Sequence, residues 1–247
     1  MGKKYRNPPI TEAICAFQFE PDSPWDLAVP GLIYEKIRGT FPKRRQAKVL
    51  DVGISPGPRG IRHQFRSSDR IQFSREDEKA LIQVGPQNLS IHHLKPYPSW
   101  REFSPLIEMG FNAYCEVVEP KNIHRIGLRY INRIEITGEK IKLEDYFRFR
   151  PFIDLSLSQD FNAFIVGIQV PYEDSRDILK LQLTNAVVNR SDILATILDL
   201  DYFLGKPGEI PIDNIFKWVN VAHNHIEEAF EDCITDSVRQ IFVEVIE

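Results

Sequence analysis

Three cysteines in 247 residues, Cys15, Cys115 and Cys233, lie far apart and form no C-x-x-C pair. Such sparse, odd usage argues against a disulfide framework and suits a reducing compartment. No run of about 18 apolar residues escapes interruption by charge, so no transmembrane helix is expected. The opening, residues 1–9, is basic, but no apolar stretch follows it and no secretory signal is expected. Charge of one sign is also scarce: Lys+Arg 31 against Asp+Glu 35 leaves a net −4. With 16 Phe, 8 Tyr and 3 Trp to bury, the chain is excluded from the disordered class. Its 13 Gly and 17 Pro, without a sustained heptad, exclude collagen-like and coiled-coil classes. Missing too are G-x-G-x-x-G after a strand, a Walker-type Gly-Lys-Ser/Thr, H-E-x-x-H and G-x-S-x-G. These absences weigh against the families that depend on those motifs and leave sites assembled from scattered residues untouched. No metal or cofactor is expected, and the chain reads as cytoplasmic.

What is present is a β-rich pattern. Ala13, Cys15, Phe17 and Phe19 alternate with Glu12, Ile14, Ala16 and Gln18, as in a strand with one dry side. A short helix is expected after Pro30, ending at Phe41-Pro42. Short strands at 49–52, 61–65, 71–73, 80–84 and 89–93, separated by turn signals, predict an antiparallel meander. Ser99-Trp100-Arg101-Glu102 reads as a capping box, and Trp100, Phe103, Ile107, Phe111 and Tyr114 follow at helical spacing. Residues 123–136 alternate again. After an interruption at 138–151 come strand-like runs at 161–170, 178–188 and 193–203. Two helices close the chain, with Asp213 and Thr235 as expected caps. The predicted fold is α+β: two mainly antiparallel β-meander lobes, residues 1–138 and 139–247, with packed helices and a C-terminal helix pair. The same element types recur in both halves without a repeated sequence.

Candidate functional residues are polar and scattered. Between Lys43 and Arg75 nine basic side chains face two acidic ones, a net +7 that leaves −11 elsewhere. Arg62 and Arg66 share a strand face there, a pattern suited to phosphates or an acidic partner, or to a solvated meander. Arg125, Arg129 and Arg133 share a face at about 13 Å intervals, fitting a track of anions or ion pairs with neighbouring strands. After Ala222 seven acidic residues stand against Arg239 alone. Glu12, Asp199 and Asp201 are carboxylates in apolar strands, the last two pointing the same way, and so are candidates for acid–base work. His223 and His225 diverge on a helix and cannot share a metal; His92 and His93 point to opposite faces of a strand. His124 is expected as a hydrogen-bonded core residue.

Four strings fall in order along the chain: Tyr5-Arg6-Asn7-Pro8-Pro9-Ile10-Thr11-Glu12-Ala13, Pro96-Tyr97-Pro98-Ser99-Trp100, residues 125–133 (RIGLRYINR) and residues 230–236 (FEDCITD). Together they resemble a sporadically distributed family of uncharacterised prokaryotic proteins of similar length. The resemblance brings no activity, substrate or cofactor. It implies an accessory, defence or toxin–antitoxin setting, with Asn7, Pro8, Pro9, Glu12, Tyr97, Trp100, Arg125, Arg129, Tyr130 and Asn132 as motif residues. The expected function is a non-enzymatic interaction protein that binds a protein partner through Arg-rich strands and the acidic C-terminal helices. The alternative is nucleic-acid binding or processing through Arg62, Arg66, Arg125, Arg129 and Arg133, and a homo-oligomer is compatible with either. No membrane partner is expected.

Overall fold

The computed structural model describes residues 3–21, 25–57, 60–138, 140–154, 156–157, 163–188, 190 and 192–245; for 49–57 and 60–68 it describes the backbone alone. Its strands are β1 (Ile10–Phe19), β2 (Lys43–Gly57), β3 (Gly60–Ser74), β4 (Ala80–Gly85), β5 (Asn88–Leu94), β6 (Ile123–Thr137), β7 (Ile165–Tyr172), β8 (Asp177–Ala186) and β9 (Ile193–Leu204). Its α-helices are α1 (Val29–Ile37), α2 (Trp100–Val118), α3 (Leu143–Tyr146), α4 (Ile215–Cys233) and α5 (Asp236–Phe242). The strands form one antiparallel sheet in the order β2-β3-β4-β5-β1-β6-β9-β8-β7, so the fold is α+β as expected. None of the described helices is long and apolar enough to cross a membrane.

Alternation sets the two faces of the sheet. Ala13, Cys15, Phe17 and Phe19 are buried, as are Ile126, Leu128 and Tyr130 on β6 and Leu198, Leu200 and Tyr202 on β9. The intervening Ala16 and Gln18 are exposed. Helices α2 and α4, each of 19 residues, lie over the buried face. Helix α2 begins as its sequence dictates: the Glu102 N–H donates to Ser99 Oγ at 3.3 Å. The Glu102 carboxylate accepts from the Ser99 hydroxyl at 3.4 Å rather than reaching the backbone. Gly110 lets this helix approach closely, since a Cβ there would sit 2.9 Å from Ile91 Cγ1. At α4 the sequence reading is corrected. Asp213 lies inside a 3₁₀ turn, Ile212–Asn214, and makes no cap; the helix starts one residue after Asn214. Thr235 does precede α5, but its hydroxyl donates to the carbonyls of Asp145 and Tyr146 and so ties α5 to α3.

The first half runs β1-α1-β2-β3-β4-β5-α2 and the second β6-α3-β7-β8-β9-α4. In each, the last strand lies beside the first, and the two first strands, β1 and β6, pair in the middle. The halves thus share one topology, except that the first has an additional edge strand, β2. That strand and β3 are longer than the short strands expected from the turn residues. Their ladder runs from Lys43↔Ser74 to Gly57↔Gly60, whereas β4 pairs only with Ile71–Ser74. The distal eleven residues of each, 47–57 and 60–70, therefore form a two-stranded ribbon roughly 35 Å long.

Asp177, fully buried, fixes α4 to β8 and β9. It accepts from Trp218 Nε1 at 3.0 Å, from the Tyr202 hydroxyl at 3.2 Å and from Arg176 Nη2 at 2.6 Å. Removing the carboxylate strands three donors, one of them charged. Asp177→Ala is expected to lower unfolding free energy by about 3–5 kcal/mol and Asp177→Asn by about 1–3 kcal/mol, measured by urea denaturation.

Candidate functional site

The face of the sheet opposite α2 and α4 is open, and the pairing register determines what meets on it. Across β5, β1, β6 and β9 one row holds His92, Ile14, Arg129 and Asp201. The adjacent row holds Ser90, Ala16, Gly127 and Phe203, and next to that stand Asn88, Gln18 and Arg125. The arginines of β6 are met by carboxylates. Arg129 makes a forked pair with Asp199, Nε to Oδ1 at 2.7 Å and Nη2 to Oδ2 at 2.6 Å. Arg125 lies 3.7 Å from Asp201, its guanidinium carbon 3.9 Å from the centroid of the Phe203 ring. Arg133 pairs with Glu135 at 2.8 Å. Asp199 and Asp201 share the face, as their spacing requires, but each is engaged by a different arginine. Among the described residues no cluster of His, Cys, Asp and Glu is placed to hold a metal ion.

The same face holds a chain of polar contacts at β1 and β5. Glu12 Oε1 lies 2.8 Å from His92 Nδ1, and His92 Nε2 lies 2.8 Å from Ser90 Oγ. Gln83 on β4 stands directly opposite Ser90, and Leu81 and Leu94 stand opposite His92 and Glu12. Leu81 and Leu94 also line a groove of ≈ 470 Å³ whose other walls include Lys43, Arg44, Arg45 and Glu78. Lys43 is ion-paired with Glu78 at 2.9 Å, which holds the Lys43 ammonium pKa above and the Glu78 carboxyl pKa below their ordinary values. Sequence reading singled out Glu12 but not its partners, because the β1–β5 register that unites them spans some 80 residues.

Most other motif residues lie at the seams of the fold. The Tyr130 hydroxyl sits 2.9 Å from His223 Nδ1 and 3.3 Å from the Tyr97 hydroxyl. Trp100 stacks on His223 at 4.1 Å, and its Nε1 donates to Asn220 Oδ1 at 3.1 Å. These contacts join the start of α2 to β6 and α4. Burial raises the Tyr97 and Tyr130 pKa values well above the phenol range, so both keep their protons. Asn132, buried, donates to the Leu198 carbonyl at 3.1 Å. The N–H of Asn7 donates to the Phe242 carbonyl, Pro9 accepts from the Arg133 N–H, and Pro8 between them is half-buried.

Arg62 and Arg66 occupy β3 within the ribbon, opposite Ser55 and Asp51; their side chains lie outside the described residues. His93 is buried against Tyr97 and Phe103, and burial lowers its pKa. His124, expected in the core, instead sits half-exposed at the end of β6, 3.3 Å from Glu20, because a register shift between Gln18 and Phe19 sets Ile123, not His124, opposite buried Phe19. His225 stacks on Tyr202, away from His223. The acidic residues of α4, Glu227, Glu228, Glu231 and Asp232, line a second groove of ≈ 570 Å³, with Lys3 and Arg239 on its rim. Cys15 and Cys233 are buried thiols and Cys115 is half-buried; burial pushes the pKa of the latter two up to about 12. Comparison with protein-family models and with curated protein sequences finds no match.

Burial raises the Asp201 pKa, opposed by Arg125 and Arg129 and reinforced by Asp199. A raised folded-state value favours the protonated carboxyl, so its contribution to stability is present below the ordinary carboxylate range and is lost as pH rises through it. Relative to Asp201→Asn, the wild type is therefore expected to lose stability in urea titrations as pH rises from the ordinary carboxylate range through the raised value. A gap that moves the other way would show that the arginines outweigh burial.

Proposed function

We propose that this chain is a macromolecular interaction protein whose open sheet face receives a partner protein. The observation that supports the reading is the one-sidedness of the sheet: one face lies under α2 and α4, the other is bare across its central strands. That bare face is a mosaic. Arg125, Arg129 and Arg133 alternate with Asp199, Asp201 and Glu135, so a polyanion would meet as many carboxylates as guanidinium groups. Paired charges of both signs suit a protein surface of complementary pattern, where they select register and partner more than they add affinity. The two expected lobes, 1–138 with β1, β5 and β6 and 139–247 with β9, both contribute to this surface. The C-terminal helix pair, α4 and α5, offers its acidic groove to a basic segment of the same partner. The three free thiols fit a cytoplasmic setting, and the resemblance noted in the sequence supports a partner encoded in an accessory or defence-type operon.

The test is a tagged pull-down from the native host, with and without nuclease, at low and moderate salt. Wild-type protein is expected to retain a protein partner through nuclease and salt. Ala16→Arg/Gln18→Arg, which adds bulk and like charge at two exposed positions on the open face, is expected to lose it. Retention by the double variant would sink the reading.

One observation supports nucleic acid instead: the β2–β3 ribbon extends beyond its pairing with β4, and Arg62 and Arg66 lie within it. A two-stranded ribbon fits a major groove. On this second reading Arg62→Ala/Arg66→Ala would reduce the slope of log affinity against log salt by roughly 1.8, as two lost phosphate contacts require.

A further inference from the structure

The Glu12, His92 and Ser90 contacts have a direction. An ionised carboxylate can only accept, so the hydrogen on the imidazole is on Nδ1, donated to Glu12 Oε1 at 2.8 Å. A neutral ring with its proton there has a bare Nε2, and the Ser90 hydroxyl donates to it at 2.8 Å. This is the tautomer and the order of hydrogen bonds that a serine nucleophile needs: hydroxyl to base, base to an orienting carboxylate. Ser90 and His92 are two residues apart on β5 and so share the open face, while Glu12 comes from β1. His92 is held by both ring nitrogens and is largely buried at its side chain, whereas Ser90 is half-buried and faces Ala16, whose methyl leaves space above it.

We propose that Ser90, His92 and Glu12 form an acyl-transfer site that hydrolyses esters bearing an anionic group. Ser90 Oγ attacks the ester carbonyl as its proton passes to His92 Nε2. The carbonyl π pair moves onto oxygen, and the imidazolium that forms is stabilised by Glu12. Collapse of the tetrahedral adduct re-forms the carbonyl and breaks the bond to the alkoxy oxygen, which leaves as an alcohol with the proton from His92. Water then attacks the Ser90 ester, giving up a proton to Nε2, and release of the carboxylic acid returns the hydrogen to Ser90. No oxidant or further co-reactant is needed. Gln83, directly across from Ser90 on β4, offers a side-chain amide N–H to the oxyanion.

The substrate class follows from the neighbouring groove. Its walls include Leu81 and Leu94, the register partners of His92 and Glu12, and the cations Lys43 and Arg45 against Glu78, while the Arg44 guanidinium is engaged over the Tyr34 ring. Such a lining accepts a carboxylate or phosphate on an apolar stem. Because the face is open to solvent, water rather than a second bound alcohol is the acceptor, which makes the reaction hydrolysis.

The experiment uses the full chain with a fluorophosphonate probe and with p-nitrophenyl monosuccinate, a carboxylate-bearing ester. Stoichiometric labelling that maps to Ser90 by peptide mass, together with a burst of p-nitrophenol of about one equivalent, is expected. Ser90→Ala should lose both signals. His92→Ala should slow labelling by roughly 100-fold or more. Glu12 is a positioning residue, so Glu12→Gln should lower kcat with little change in KM and alter the pH profile, and Glu12→Asp should restore part of the rate. Absence of probe on wild-type Ser90 overturns the proposal, as does labelling that persists unchanged in His92→Ala. Circular dichroism of each variant separates loss of fold from loss of chemistry, and Ser90→Cys, which keeps a nucleophile in the same volume, should still react with iodoacetamide faster than Cys115. Failure of this site would leave the partner-binding reading intact, since that rests on the uncovered face and its paired charges and is tested at Ala16 and Gln18 rather than at Ser90.

Discussion

The ladder between β1 and β6 is the constraint on which the rest of the molecule depends. Nine residues of one half pair with the start of the other, from Ile10↔Asn132 to Phe19↔Ile123, and turn two meanders into one continuous sheet. A sheet of nine strands must bury at least one face, and the two 19-residue helices lie on the same side of it. Had α4 packed on the opposite side, Asp199, Asp201 and Arg129 would be under a helix. As it is, the strands are amphipathic: the buried residues of β1, β6 and β9 that face the helices are apolar apart from Tyr130, Asn132, Thr196 and Tyr202, which are buried with hydrogen bonds.

That one-sidedness explains how polar groups are divided. Toward the helices, polar atoms are few and, apart from the buried Tyr114 hydroxyl, committed: Asp177 gathers three donors, Tyr130 bridges His223 and Tyr97, and Asn132 reaches a strand carbonyl. Each would cost about 1–3 kcal/mol if left unpaired, so they fix the orientation of α4 and α2 more than they add to stability. Toward solvent the pairs are side by side in the sheet plane. Arg129–Asp199 has the fork geometry that gives specificity, with the carboxylate mostly covered by its partner. Arg239 plays the same part at the terminus, binding Glu231 and Asp236, while Tyr5 donates to Glu231 from the first residues of the chain. The N-terminal and C-terminal segments are thus knitted to one another as well as to the sheet.

Alternation and capping made the fold class readable, because they depend on neighbours within a turn or two. The strand at 123–136, the helix beginning at Ser99 and the buried face of β1 follow from period and cap chemistry alone. Two kinds of feature did not. The extent of β2 and β3 was hidden by Pro56, Gly57 and the Ser67-Ser68-Asp69 turn signal, since local residue preference says nothing of a partner strand running alongside. The second was the set of cross-strand partners. His92 and Glu12, Arg125 and Asp201, and Tyr130 and His223 are each about 70 to 90 residues apart. A reading of spacing can assign each to a face, but only the register says which meet. The motif residues show the same split: Asn7, Pro9, Tyr97, Trp100, Tyr130 and Asn132 are spent on seams, whereas Glu12, Arg125 and Arg129 reach the open face.

The small residues of the open face are best understood from the same register. Ser90, Ala16 and Gly127 form one row across β5, β1 and β6, at the junction of the two halves, with larger side chains in the rows on either side. At Gly127 an added Cβ would lie 3.4 Å from Phe203 Cβ and 3.5 Å from Asp201 Oδ1, so the position is shaped by the cross-strand pair that Arg125 and Phe203 make over it. The row therefore has small residues at its centre, with an aromatic ring under a guanidinium at one end and Gln83 beyond Ser90 at the other. It lies where β1 of the first half pairs with β6 of the second, so its small side chains belong to the ladder that joins the two halves.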